Sequence, residues 1–220
     1  MEDKFNQDYF ERGIETGVSC YQNYRWIPEL TIPMAVSICD YLDIKKGQTI
    51  LDYGCAKGYL VKAMRLLGRP TWGIDVSNYA LSKTEESIIN YCSGVKGWFG
   101  FPSKFDFCIA KDVFEHIELP ELSTILKEIP SDTLFVIVPL GKEGKYYAHC
   151  NNLDKTHIIC EDEIWWKNLF EQCGWKQRRF SFEVQGIKES YKGNEKAHGF
   201  FTLTRTRKTT DNICGADCKL

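Results

Sequence analysis

The stretch Ile50 to Leu60, "ILDYGCAKGYL", decides how the rest of this chain reads. A short apolar run ends at Asp52 and Gly54, a second glycine follows at Gly58, and then the pattern becomes helical. Leu60, Met64 and Leu67 share one helical face, and Gly68 can close that helix. The unit is therefore strand, turn, helix. Glycines in such a turn let backbone approach a ligand closely, and the helix that follows offers free N–H groups. The spacing is Asp52-x-Gly54-x-x-x-Gly58, so the dinucleotide pattern GxGxxG is absent.

The same alternation continues outward. "TWGIDV" (71–76) is a second strand, and Ser77 can cap a helix predicted to run through Cys92. "FDFCIA" (105–110) is a later strand. "LPELSTILKEI" (119–129) reads as a helix, with Leu122, Ile125, Leu126 and Ile129 on one stripe. "DTLFVIVPL" (132–140) is the most strand-like run, and "EDEIWWKNLFEQCG" (161–174) opens with three acids suited to a helix N-terminus. "KQRRFSFEVQG" (176–186) and "HGFFTLTRT" (198–206) have no helix between them, which predicts antiparallel pairing. Repeated strand–helix units with short connections mean a doubly wound α/β fold: a mostly parallel sheet, helices on both faces, and a late antiparallel pair. The chain divides into an N-terminal helical and aromatic lid segment (1–47), a main domain (48–206) and a polar C-terminal tail (207–220). The lid carries a helix over 33–42 and the stretch "CYQNYRWIPEL" (20–30), whose Tyr21, Tyr24, Arg25 and Trp26 are expected over the carboxyl ends of the strands.

The totals bound the functional classes. Hydrophobic residues make up 43% and charged residues 26%, as in ordinary soluble domains. A net charge of −2 gives no bulk attraction to nucleic acid or anionic membrane, and "RTRKTT" (205–210) is only a small basic patch. No apolar run approaches the ~20 residues of a membrane helix, and the charged N-terminus lacks the apolar core of a signal peptide, so a cytoplasmic protein is expected. Of the ten cysteines, Cys39, Cys55, Cys92, Cys108 and Cys173 lie in apolar segments as small hydrophobes. No CxxC pair suggests a zinc ribbon; Cys214 and Cys218 sit in the terminal "CGADC".

In open α/β sheets ligands bind at the carboxyl ends of the strands. Asp75, 23 residues after Asp52 and at the end of the second strand, is placed to bind ribose hydroxyls. Glycine turn and acid together indicate a nucleoside site. The ordered elements "ILDYGCAKGYL", "GIDVS", "FDFCIAKDVFEHI" and "LFVIVPL" resemble those of the class I S-adenosylmethionine-dependent methyltransferases, over roughly residues 48–206. The resemblance implies a seven-stranded sheet and S-adenosylmethionine as cofactor. It places Asp52, Gly54, Cys55, Ala56 and Gly58 around the methionine end, Asp75 on the ribose, Val76 beside the adenine, and Lys111 and Asp112 near the sulfonium. Many members have an acid near the adenine; here "GVKGWFGFPSK" has none, and Lys96, Gly97 and Trp98 take that place.

"AKDVFEHI" (110–117) ends the fourth strand with Lys111, Asp112, Glu115 and His116. His116 is the natural general base by type. If a helix starts here, Asp112, Glu115 and His116 share one face, and two carboxylates with an imidazole suit a divalent metal ion. The pattern is similar to the E-x-x-E-H element of small-RNA 2′-O-methyltransferases and ubiquinone-pathway O-methyltransferases. By that likeness His157, in "HCNNLDKTHIICEDE" (149–163), is the fourth ligand, with His149 behind it. The plainer alternative is that Glu115 and His116 only brace a helix. The expected activity is methyl transfer to oxygen of a small polyhydroxy, sugar or phenolic acceptor, with His116, Asp112 and His157 as catalytic candidates. Two alternatives stand beside it: a metal-dependent RNA ribose methyltransferase, and a non-catalytic S-adenosylmethionine-binding regulator. The lack of a basic domain disfavours nucleic acid as the acceptor.

Overall fold

A computed structural model describes residues 4–97, 100–191 and 193–206. Seven strands form one sheet in the order β3-β2-β1-β4-β5-β9-β8. They are β1 (Ile50–Tyr53), β2 (Thr71–Asp75), β3 (Cys92–Gly94), β4 (Phe105–Lys111), β5 (Ser131–Pro139), β8 (Trp175–Ser181) and β9 (His198–Arg205). The first five are parallel; β9 runs antiparallel to both β5 and β8, between which it is inserted. A two-stranded hairpin, β6 (Gly141–Lys142) and β7 (Lys145–Tyr146), stands apart.

Alternation along β5 shows why helices cover both faces. Leu134, Val136 and Val138 point to one core, shared with α6 (Leu119–Glu128) and α7 (Glu163–Gln172). Phe135 and Ile137 point to the other, shared with α3 (Pro28–Leu42) and α4 (Tyr59–Leu66). Strands buried on both faces need continuous apolar runs, which is what the sequence shows. Trp175 is fully buried, so its indole needs a partner; Nε1 donates to the Leu126 carbonyl at 2.8 Å and ties β8 to α6. Four of the cysteines expected in apolar segments, Cys39, Cys55, Cys108 and Cys173, are buried free thiols, and Cys92 is half-buried. Cys214 and Cys218 lie outside the described residues.

Some expected boundaries move. The helix after Ser77 stops at Ser82 instead of reaching Cys92 (α5, Asn78–Ser82). Ser77 does cap it, through Ala80 N at 2.9 Å. At its end, Lys83 N and Thr84 N bond three residues back, to Ala80 and Leu81, and this tighter pattern does not propagate an α-helix. Cys92 then enters β3, a strand the sequence did not signal. The N-terminal helix begins earlier than Pro33, at Pro28, a residue suited to the first helical position. Two short helices precede it, α1 (Gln7–Glu11) and α2 (Gly13–Thr16).

Phe170 is fully buried between α7 and the sheet. Phe170→Ala is expected to lower stability by about 3–5 kcal/mol, read as a drop in the urea midpoint at unchanged slope.

Candidate active site

The carboxyl ends of β1, β2 and β4 form one end of a cleft, and one carboxylate shapes it. Asp75 Oδ2 accepts from Ala56 N and Oδ1 from Ser77 N, both at 2.7 Å. The turn after β1 is also held by Gly54 N and Cys55 N, which both donate to the Ile74 carbonyl, at 2.8 and 3.0 Å. Gly54 has φ +82°, and a Cβ there would lie 2.3 Å from Val113 Cγ2. Cys55 turns down onto the sheet: a Cβ on Gly73 would lie 2.6 Å from the Cys55 Cβ. Gly58 opens α4 in the left-handed region, with Cys92 and Ile88 packed against it, and does not line the cleft. Burial pushes the Asp52 carboxyl up to about 7, although Lys111 works in the other direction.

The cleft encloses about 990 Å³, the upper end of the usual range for small-molecule sites. It runs from Asp52, Ala56, Asp75 and Val76, past Lys111, to Glu115, His116 and His157. The N-terminal segment lies along it, with Phe5, Tyr9, Tyr21, Tyr24 and Arg25 in its wall; Trp26 packs outside, on Tyr59. Lys57, from the glycine turn, holds this segment down. Its Nζ donates to Glu11 Oε1 and to the Tyr24 carbonyl, each at 2.5 Å, and Tyr79 Oη donates to the same Glu11 oxygen at 3.0 Å. Further on, Tyr9 Oη donates to Asp154 at 3.3 Å.

At the far end two imidazoles face a carboxyl that has no hydrogen-bond partner among the described residues. The Glu115 side chain is fully buried, and neither of its oxygens has a hydrogen-bond partner. His116 Nε2 and His157 Nε2 each lie 3.9 Å from Glu115 Oε1. The hydrogen bonds at the opposite ring nitrogens assign the tautomers. His157 Nδ1 faces the Asn151 carbonyl at 2.9 Å, which can only accept. His116 Nδ1 meets Thr156 Oγ1 at 2.8 Å, and that hydroxyl gives its own proton to Asp154 Oδ1 at 2.6 Å. Both Nδ1 atoms therefore carry the hydrogen, and both Nε2 lone pairs face Glu115. Burial, with the neighbouring His157, pushes His116 down to about 4, and burial lowers His157 as well. Burial, with Asp112, holds Glu115 well above the usual carboxylate range.

One premise from the sequence fails. Asp112 does not share a helical face with Glu115 and His116. Its amide continues the ladder to the Ile137 carbonyl at 2.8 Å, its φ of +57° turns the chain, and residues 114–116 form a 3₁₀ turn before α6. Three residues, Glu115, His116 and His157, have ligand atoms within 4.8 Å of one another; Asp112 is not among them. Its Oδ2 instead takes Lys111 at 2.7 Å and Lys188 at 2.5 Å. His149 is exposed and apart from the group. Val95 lines the cleft where Lys96 and Gly97 were expected, and Trp98 lies outside the described residues. Sequence reasoning missed Lys57, Asn151, Asp154, Thr156 and Lys188. The polar clump "NNLDKTH" was a usable signal for three of them; nothing around Lys57 or Lys188 marked either.

The family model described as a methyltransferase domain matches residues 34–177. The chain belongs to this methyltransferase-domain family. Its fold is that of the class I S-adenosylmethionine-dependent enzymes. It is similar to magnesium protoporphyrin IX methyltransferase (ChlM) from Synechocystis PCC 6803, solved with SAH bound: 15% identity, TM-score 0.59, covering 93% of this chain and 98% of that one. It is also similar to the mitomycin 7-O-methyltransferase MmcR, at 18% identity and TM-score 0.58, and to the pyocyanin biosynthetic protein PhzM, at 14% and 0.58. Both matches cover 81% of this chain, which spans 54% of the first protein and 55% of the second. No curated protein sequence matches it. At these identities the likeness carries the fold alone. Among the described residues no helix of this methyltransferase domain is long and apolar enough to cross a membrane.

Two outcomes are expected. Lys57→Met removes the hold on Glu11 and Tyr24, and limited proteolysis within residues 12–25 is expected to speed up roughly tenfold. His116 titrates near ~6.5 when unfolded and about 4 when folded, so the unfolded chain binds more protons between those values. That group alone makes stability fall as pH drops from ~6.5 toward 4, while the raised Asp52 and Glu115 carboxyls act in the opposite direction, so its share is expected as the difference between wild type and His116→Gln in thermal unfolding across that range.

Proposed function

We propose that the protein transfers a methyl group from S-adenosylmethionine to a hydroxyl of a small acceptor placed beside Glu115, His116 and His157. Asp52 meets the methionine end of the cofactor, Asp75 the ribose and Val76 the adenine, while the pinned turn at Gly54–Ala56 supports the sulfonium between them. The acceptor oxygen attacks the methyl carbon, a C–O bond forms, and the S–C bond breaks with its electron pair going to sulfur. The chain's task is alignment and management of the hydroxyl proton.

The observation that carries this reading is the Glu115 carboxyl, buried beside two imidazole lone pairs and without a hydrogen-bond partner among the described residues. An imidazole held near 4 is a poor base for a hydroxyl with a pKa of ~10, a gap of roughly 8 kcal/mol. His116 acting alone therefore does not remove the proton efficiently. Three acceptors facing one point, each imidazole oriented through its other nitrogen, suit a divalent cation, and Asn151, Thr156 and Asp154 supply that outer support. Glu115, His116 and His157 would hold the ion, whose chemistry is to lower the pKa of a hydroxyl. Asp112 is not part of this set.

Metal content and transfer test the reading together. Purified protein is expected to bind about one Mn²⁺ or Zn²⁺ by calorimetry, and His157→Ala to lose that binding. His116→Ala and His157→Ala are expected to lower methyl transfer at least ~100-fold while SAH affinity stays within about threefold. Transfer that is indifferent to chelation and to both substitutions would end this reading. Ionised Asp52 pairs with the cofactor's ammonium, so cofactor affinity is expected to rise between pH 6 and 8, and Asp52→Asn to remove that rise.

A further inference from the structure

The cleft has a feature that the methyl-transfer reading leaves unused. Lys111 and Lys188 both reach one oxygen of Asp112, at 2.7 and 2.5 Å. Both lysines line the cleft, and their side chains are largely buried, at 24% and 16% exposure. Among the described residues the Lys188 ammonium has no further ion pair, and the Tyr191 ring lies 5.3 Å away. His198 is buried, with Nε2 3.9 Å from Asp112 Oδ1, and its Nδ1 has no hydrogen-bond partner among the described residues. Each ammonium carries three N–H donors, so one shared carboxylate leaves most of them for something else in the cleft.

The backbone adds a second observation. Asp112 and Lys188 both sit in the left-handed region, at φ +57° and +59°, although neither is glycine. Such conformations cost about 1–3 kcal/mol each and persist at sites where geometry matters. The chain accepts this cost twice, at the two ends of one ion pair. Burial lowers the Lys188 ammonium and Asp112 counters that, so the charge is kept in place by a partner instead of by water.

The geometry points to Lys188, with Lys111, as a recognition site for an anionic group on the methyl acceptor, a carboxylate or a phosphate close to the hydroxyl that is methylated. This rests on the proposed methyl-transfer site, because both lysines line the same cleft as Asp52, Asp75 and the Glu115 cluster. An anion here joins the two ammoniums beside Asp112, which lines the same cleft and holds both. Charge-assisted hydrogen bonds of this kind are among the stronger single contacts a ligand makes. Asp112 thereby acts as a positioning residue for Lys188.

Matched ligand pairs on SAH-loaded protein test this by calorimetry or ligand-observed NMR. Catechol is compared with 3,4-dihydroxybenzoate, and glucose with glucuronate and with glucose 6-phosphate; the carboxylate and phosphate arms tell the two sources apart. At least one anionic member is expected to bind about tenfold or more tighter than its neutral partner. Lys188→Met should abolish that preference, Lys188→Arg should keep most of it, and both should keep SAH affinity. Equal binding of neutral and anionic members, no binding by any anionic member, or a preference that survives Lys188→Met overturns the inference. Failure of wild-type protein to bind SAH is a separate result, which overturns the methyl-transfer reading and this one with it.

Discussion

Two backbone amides, from Ala56 and Ser77, converge on the Asp75 carboxylate, and much of the cleft depends on that arrangement. The glycine turn leaves β1 with Ala56 in a left-handed conformation, which for a non-glycine residue needs support. Asp75 supplies it from the neighbouring strand. Cys55 can then fold down onto the sheet only because position 73 has no side chain. The turn, the β2 acid and the start of α5 are thus one unit, and the mouth of the cleft takes its shape from it.

From this unit Lys57 reaches outward to Glu11 and Tyr24, so the N-terminal segment is fastened to the same turn that shapes the mouth of the cleft. Tyr9 fastens the segment a second time, at Asp154, beside the histidines. One strap therefore touches both ends of the cleft. The cleft also holds contrasting chemistry. Glu115 is a buried carboxyl without a hydrogen-bond partner among the described residues, while Lys111 and Lys188 share one carboxylate between two ammoniums. That contrast supports reading the cleft as a binding site, since buried groups left so unevenly paired are costly in a region that exists only for packing.

The fold was legible from periodicity because strands covered on both faces must be apolar throughout and helices covered on one face must be striped. Ile50–Tyr53, Phe105–Lys111 and Leu122 to Ile129 show this directly. Short elements were not legible: β3 offers three residues, and the end of α5 is a matter of which carbonyl each amide selects. The candidate site was half legible. Glu115 and His116 were named from residue type and spacing and His157 from the family likeness, and the structure brings the three together. Asp112 was named with them on a helical premise that its φ of +57° removes.

What the sequence determined by itself is the order of the longer strands and helices, the glycine turn, the two acids at the strand ends and the presence of histidines on either side of β5. These follow from local periodicity and from which residues tolerate which backbone. Only the tertiary structure decided the partners: Asp112 with Lys188 instead of Glu115, Lys57 with the N-terminal segment, and Thr156 and Asn151 behind the imidazoles. Such pairs join residues far apart in the chain, and their choice depends on where loops land after the sheet has closed.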